Sequence, residues 1–454
     1  MNSTQQLPQQ FSEQMRRLIG VHYDNFAKAL DQPSPVSIRI NPHKLSTRNS
    51  PTPIPWCSTG TYLAERPSFT LDPTFHSGAY YVQEASSMFL EQALKQTTDL
   101  NQPLHVLDLC AAPGGKSTHI LSLINNESLL ISNEVIRSRS TILSENIQKW
   151  GHANVVVTNN DPTDFQRLKG FFDVVVVDAP CSGEGLFRKD PEAMKEWSPD
   201  NVNLCWMRQR RIVSDIWSTI KPGGILIYST CTYNRLENEE NLQWINNEYD
   251  AEFIELKTEP SWGVEEVKEG DIVGYHFYPH KVRGEGFFIA AIRKTSAQDS
   301  IHIKQKNKIF QRPTVKVAEQ LNHWVKDVQN KTFLMFKENI LMVHASKVQE
   351  IEFLTQQLHI ITAGTTVAEV KHDKLIPDQA FALSLEIQNN FFNEIELTRE
   401  QALQYLRKET IQSIESKKGF ALFKFENLAL GWANILDNRI NNTYPANWRI
   451  RMTG

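Results

Sequence analysis

The sequence predicts an α/β protein whose main domain is a doubly wound, Rossmann-like sheet, and three observations carry that prediction. From Leu104 onward, short β-branched runs alternate with helical stretches: Val106 to Leu109, Leu129 to Ser132, Val155 to Thr158, Val174 to Val177 and Ile225 to Ser229. This is the βαβ rhythm of a parallel sheet. The four valines at 174 to 177 mark a strand covered on both faces. The stretch from Leu107 to Thr118 passes from a strand, through a turn of small residues, into a helix, as ligand-binding turns of such sheets do.

A chain of 454 residues exceeds what one core sustains, so several domains are expected. Phe11 to Leu30 repeats apolar residues at helical spacing, and Val36 to Ile40 alternates like a strand until Asn41-Pro42 stops it. Ser46 to Pro55, rich in Ser, Thr and Pro, reads as a loop. These elements make an N-terminal α+β segment, residues 1–80. The main domain follows at 81–295, its last strands near Val273 to Tyr278 and Gly286 to Ile292. After Arg293 the chain turns polar through Lys308, then resumes with strand-like Phe333 to Phe336 and Ile340 to His344, a first C-terminal α+β domain at 310–390. In the last unit, 391–454, Thr398 caps a helix running to Lys408, and Phe420 to Phe425 with Leu428 to Leu436 read as a hairpin.

Composition narrows the function classes. With 40% apolar and 22% charged residues the chain is globular. Met1 to Gln10 lacks an apolar h-region and no stretch offers the roughly 18 apolar residues of a membrane span, so a cytoplasmic protein without membrane contact is expected. Five scattered cysteines suit neither a disulfide framework nor a metal site; free thiols and no metal are expected, with Cys57 and Cys205 read as buried packing. A net charge of −4 gives no general support for nucleic-acid binding. Local basic groups are Arg188 with Lys189, then Arg208, Arg210 and Arg211, then Lys281 with Arg283, and Lys304, Lys306, Lys308 and Arg312. Each reads either as a phosphate contact or as a solvated face.

The turn Cys110-Ala111-Ala112-Pro113-Gly114-Gly115-Lys116 lets a ligand approach backbone closely. Glu134, nineteen residues beyond Gly115, follows the second strand, where an acid can accept the hydroxyls of an adenosine ribose. Asp161 follows the third strand and suits an adenine amino group; Asp178 closes the fourth and Asp108 the first. Singly each is a cap or turn acid, but strand ends at the switch point of such a sheet converge on one crevice. Gly115-Lys116-Ser117 also resembles the end of a phosphate-binding loop. That rival fails at Cys110, where the loop needs glycine, and at Pro113, which removes an N–H donor.

Two thiols point to the chemistry. Asp178-Ala-Pro-Cys181 follows the fourth strand and Ser229-Thr-Cys231 the fifth, so both sulfurs are expected in the same crevice. Carbon 5 of a pyrimidine is barely nucleophilic, and addition of a thiolate at carbon 6 converts the ring into an enamine able to attack a sulfonium methyl group. A carboxyl group at Asp178 suits the ring nitrogen. A second thiol suits release of the product. Taken singly, either cysteine reads as a small buried hydrophobe.

Cys110-Ala-Ala-Pro-Gly-Gly-Lys116, Asp178-Ala-Pro-Cys-Ser-Gly183, Ser229-Thr-Cys-Thr232 and Arg283-Gly-Glu-Gly-Phe287, in this order, resemble the Nop/Sun family of RNA cytosine-5 methyltransferases, above all its bacterial RsmF-type 16S ribosomal RNA branch. The likeness is strong over about residues 35–293 and weaker beyond, where that branch carries PUA-like RNA-binding domains. It implies a class I methyltransferase domain, S-adenosyl-L-methionine as methyl donor, Cys231 as nucleophile and Cys181 as the thiol that aids release. It also implies that residues 110 to 116, Glu134, Asp161 and Asp178 surround the cofactor. The implied partner is RNA, either 16S ribosomal RNA or the small ribosomal subunit, bound by a monomer. A transfer-RNA cytosine-5 methyltransferase and a non-catalytic assembly factor are the alternatives. In this reading Arg188, Lys189 and Arg208 to Arg211 neutralise phosphates, Trp206, Phe187 or Tyr233 stack on bases, and Gly431-Trp432 belongs to a PUA-like surface; core packing is the competing reading for each aromatic.

Overall fold

The computed structural model describes residues 7–45, 52–298, 301, 309–372, 374–388, 391–411, 414 and 416–452. The basic residues Lys304, Lys306 and Lys308 lie outside the described residues.

The N-terminal segment begins with two helices, Gln9–Ile19 and Tyr23–Leu30, rather than one. The break is at Gly20, whose φ of 52° lies in the region that favours glycine and ends a helix. Phe11, Met15 and Phe26 are fully buried and pack on Phe187, Trp197, Tyr233 and Tyr278 of the main domain. Strands β1 (Val36–Ile40), β2 (Gly60–Leu63) and β3 (Tyr80–Val82) form an antiparallel sheet in the order β2-β1-β3.

The main sheet has β4 (His105–Asp108), β5 (Leu129–Asn133), β6 (Val155–Thr158), β7 (Phe172–Asp178) and β8 (Ile220–Thr230) as its parallel centre. Antiparallel β12 (Phe287–Lys294), β11 (Ile272–Phe277) and β10 (Glu265–Glu269) extend one side, and β9 (Ala251–Phe253) pairs with the end of β12. From β4 the chain winds outward to β5 and β6, then returns to β7 and β8 on the other flank. The switch point therefore lies between β4 and β7, beneath the strand ends that carry Asp108 and Asp178. Val174 to Val177 are completely buried, as a strand covered on both faces requires.

Beyond the main sheet, β13 (Lys331–Phe336), β14 (Asn339–His344), β16 (Thr365–Lys371) and β17 (Lys374–Pro377) make a four-stranded antiparallel sheet. This region does not stand apart. Its strand β15 (Ile360–Ala363) leaves that sheet and pairs antiparallel with β6, and Phe353, Leu354 and Leu358 pack into the main core. The exposed edge of the parallel sheet is thereby covered.

The last unit contains β18 (Asn393–Glu396), β19 (Gly419–Phe425), β20 (Leu428–Ile435) and β21 (Ile440–Asn442) in that order, β18 parallel to β19 and the rest antiparallel. The hairpin turn uses Glu426 and Asn427 at φ of 50° and 64°, the geometry two-residue hairpins demand. Thr398 caps the helix Arg399–Arg407 in a reciprocal capping box with Gln401. Trp432 is buried against Phe381 and Phe392, so it is core rather than surface. Among the described residues no helix is long and apolar enough to cross a membrane.

Candidate active site

Strands β7 and β8 run side by side with Asp178 opposite Ser229, so the loops that leave them start together. That register brings the two sulfurs into contact: Cys181 Sγ lies 2.9 Å from Cys231 Sγ. The Cys231 N–H also donates to Cys181 Sγ at 3.2 Å, and the Cys231 carbonyl accepts from Gly185 N–H at 2.8 Å. Both thiols are free. The hydrogen bond to Cys231, and then burial, push the Cys181 thiol well above its ordinary range, so Cys181 holds its proton.

Lys116 reaches out of the helix Gly115–Leu121 to place Nζ 2.7 Å from Asp178 Oδ2, and Ser229 Oγ donates to Asp178 Oδ1 at 2.9 Å. Burial disfavours the Lys116 ammonium, but the neighbouring Asp178 carboxylate outweighs it and raises Lys116 above its ordinary value. The sequence reading groups Lys116 with the turn; its charged end belongs to the carboxylate beside the thiols.

The turn itself is fixed from outside. Ala111 N–H donates to Asn133 O at 2.8 Å, Arg139 Nη2 to Ala112 O at 2.8 Å and Asn146 Nδ2 to Pro113 O at 2.8 Å. Gly114 adopts φ of 117°, which a side chain would strain. At its base Asp108 is fully buried. Its Oδ2 accepts from Ser117 Oγ at 2.6 Å, while Oδ1 has no hydrogen-bond partner among the described residues, and burial pushes the carboxyl up to about 7. Glu134 accepts from Ile136 N–H at 2.9 Å and faces Arg139 Nη1 at 3.3 Å. Burial, followed by the charges of Asp108, Asp178 and Glu134, raises the Cys110 thiol. Asp161 instead caps the short turn Pro162–Arg167 and pairs with Arg211 at 3.1 Å; burial opposes its charge, but these bonds hold it below the ordinary carboxylate range.

Several charged and aromatic residues serve packing. Arg188 is buried in an ion pair with Glu285 at 3.0 Å, not available to a phosphate. Phe187 and Tyr233 are buried against Phe11, and Trp206 lies under Arg210, 4.2 Å from the guanidinium. Lys189, Arg208 and Arg211 remain exposed. Sequence reasoning passed over Glu184, a buried carboxylate that accepts from Tyr233 N–H and Asn234 N–H at 3.0 Å, Trp197 Nε1 at 3.1 Å and Gln14 Nε2 at 2.9 Å. It ties the N-terminal helix to the Cys231 loop. Cys57, Glu91 and His119 form a buried cluster with ligand-type atoms within 4.8 Å, but the Glu91 oxygens already accept from Lys95, Ser58 and His119.

Residues 95–293 match the model of the 16S rRNA methyltransferase RsmB/F family, residues 7–85 that of the N-terminal domain of 16S rRNA methyltransferase RsmF, and residues 392–450 that of the methyltransferase RsmF PUA domain. The ribosomal RNA small subunit methyltransferase F of Escherichia coli (strain K12) is 32% identical over 464 residues, covering 96% of this chain and 95% of that one. This chain belongs to the RsmF methyltransferase family. The same-named protein of Escherichia fergusonii is 33% identical over equal shares. A methyltransferase homolog protein from Pyrococcus horikoshii is 28% identical with a TM-score of 0.54, over 63% of this chain and 95% of that one. NSun6 from Pyrococcus horikoshii, solved with SFG, shares the fold at 21% identity and a TM-score of 0.55, over 64% of this chain and 98% of it. The RsmF N-terminal model ends at residue 85, just past β3, which completes the first sheet.

Proposed function

We propose that this RsmF-family methyltransferase transfers a methyl group from S-adenosylmethionine to carbon 5 of a cytosine in 16S ribosomal RNA, by way of a covalent bond between Cys231 and the base. The observation that carries this reading is the pair of free sulfurs 2.9 Å apart at the ends of adjacent strands, beside the Asp178–Lys116 pair.

The residues of the crevice fit the donor. Glu134 offers a carboxylate to ribose hydroxyls, the 110–115 turn offers close backbone, and Asp108 Oδ1 is a buried oxygen without a partner among the described residues, a costly state that a ligand's donor relieves. Asp161 would have to share its carboxylate between Arg211 and an adenine amino group. When bound, S-adenosylmethionine supplies the methyl group as an electrophilic sulfonium.

The chain's own residues do the rest. Cys231 Sγ, its proton released to solvent, adds as the thiolate to carbon 6 of cytosine, and the displaced electron pair makes carbon 5 nucleophilic. A proton taken up from solvent onto the ring nitrogen neutralises the adduct, and Asp178, an acceptor already oriented by Lys116 and Ser229, accepts the hydrogen bond of that N–H and holds it in place. After methyl transfer solvent water takes the carbon-5 proton, the C–H electron pair restores the 5,6 double bond, the proton on the ring nitrogen returns to solvent and the bond to Cys231 breaks with its electron pair on sulfur. Cys181, kept protonated, donates to the departing Cys231 sulfur. A paired base cannot present carbon 6, so the target cytosine is turned out of its stack, with Lys189, Arg208 and Arg211 as exposed cations for flanking phosphates.

The test is to map 5-methylcytosine in 16S ribosomal RNA from cells with and without this protein, and to assay purified variants. Cys231→Ala should abolish methylation, whereas Cys181→Ala should accumulate a denaturant-resistant protein–RNA adduct. Methylation of transfer RNA alone, or full activity in Cys231→Ala, would overturn the reading.

A further inference from the structure

Two consecutive buried residues, Glu237 and Asn238, each bracket one of the two sulfurs, and we infer that they are positioning residues that set the register of the thiol pair. The inference rests on the roles proposed for Cys231 and Cys181.

Asn238 holds both neighbours of Cys231. Its Oδ1 accepts from Thr230 Oγ1 at 2.6 Å, and its Nδ2 donates to the Thr232 carbonyl at 3.1 Å. The residue stands at the N-cap of the helix Glu239–Glu248, yet its side chain makes no capping hydrogen bond. Asparagine there normally satisfies its own helix; here both ends of the amide are committed to the strand end that carries the nucleophile.

Glu237 does the same for Cys181. Its Oε2 accepts from the Ser182 N–H at 3.0 Å and from Gln209 Nε2 at 2.7 Å, and its Oε1 from Asn234 Nδ2 at 2.7 Å. Gln209 Nε2 also donates to the Pro180 carbonyl at 3.0 Å, so the residues before and after Cys181 are tied to one carboxylate. Glu237 and Asn238 are both fully buried. The side-chain donors to Glu237 are neutral amides, and burial raises its carboxyl above the ordinary value. A buried carboxylate with such partners is expensive as a fold stabiliser, whereas as an acceptor it fixes the approach of one loop to another. Because β8 and the Glu237–Asn238 turn are one continuous piece of chain, the two brackets share a frame.

The two brackets predict different failures. Loss of Asn238 misplaces the attacking sulfur and slows adduct formation; loss of the Glu237 acceptor misplaces Cys181 and slows release. The probe is 16S ribosomal RNA transcript with S-adenosylmethionine and the full-length enzyme. In a Cys181→Ala background, Asn238→Ala should form adduct about 100-fold more slowly, the effect of a displacement of about 1 Å. KM for RNA and the Kd of S-adenosylmethionine should move less than about threefold, because the change falls on kcat. Glu237→Gln, with both cysteines present, should accumulate adduct as Cys181→Ala does. If Glu237→Gln fails to fold, Gln209→Ala, which removes the outer arm of the bracket, should give a weaker form of the same accumulation. Wild-type turnover without accumulated adduct in these variants overturns the inference, as does a parallel loss of kcat, cofactor affinity and melting temperature. A Cys231→Ala enzyme that still methylates would bring down the assignment of the sulfurs first, and the bracket with it.

Discussion

Asp108 shows how a single buried acid leaves a measurable trace. Its carboxyl lies at about 7 against an ordinary 3.8 because burial penalises the charge. Between those values the folded chain keeps a proton that the unfolded chain has released, so stability falls as pH rises through that window and levels off above it. Asp108→Asn retains an acceptor for Ser117 and removes the slope, gaining at most about 4 kcal/mol relative to the parent at neutral to alkaline pH. Urea unfolding midpoints at acid and alkaline pH check this; parallel pH profiles for the two chains would refute it. At this scale the sequence located Cys181, Cys231, Asp178 and Glu134 at or just past the ends of strands, because strand ends can be read from β-branched runs. It did not reveal that Arg188 is buried, since its partner Glu285 is remote in sequence and arginine as a type reads as exposed.

Elements were legible where their pattern is strong, as in Val155–Thr158, found over the residues read. They were less so where a single glycine decides, as at Gly20. Packing of elements yields two predictions. A Cβ at Gly286 would lie 2.4 Å from Tyr233 Oη and 2.5 Å from Gly185 Cα, so the segment before β12 and the two cysteine loops touch only because no side chain is there. Gly286→Ala should lower methyltransferase turnover more than it lowers cofactor affinity, and isothermal titration beside a methylation assay separates the two. Leu107, fully buried in β4, should cost about 2–5 kcal/mol on substitution by alanine. Chemical denaturation measures that cost, and a change within experimental scatter would contradict the central place assigned to β4.

In the whole molecule the C-terminal regions are structural partners of the main sheet as well as appendages to it. β15 covers the β6 edge, and Phe353, Leu354 and Leu358 complete the core. A chain truncated after residue 298 should therefore expose the β6 edge, aggregate more readily and lose hydrogen-exchange protection at Val155 to Thr158. Retained protection there would mean that β15 contributes little. The sequence by itself determined the alternation of strands and helices, the polar motifs at strand ends and the family, because these are local in the chain. Only the tertiary structure decided the contact between the sulfurs, the reach of Lys116 to Asp178, the buried carboxylates around the loops and the strand lent to the main sheet. Each depends on side chains or edges that meet across long stretches of chain, where hydrogen-bond and packing geometry, rather than residue type, selects the partner.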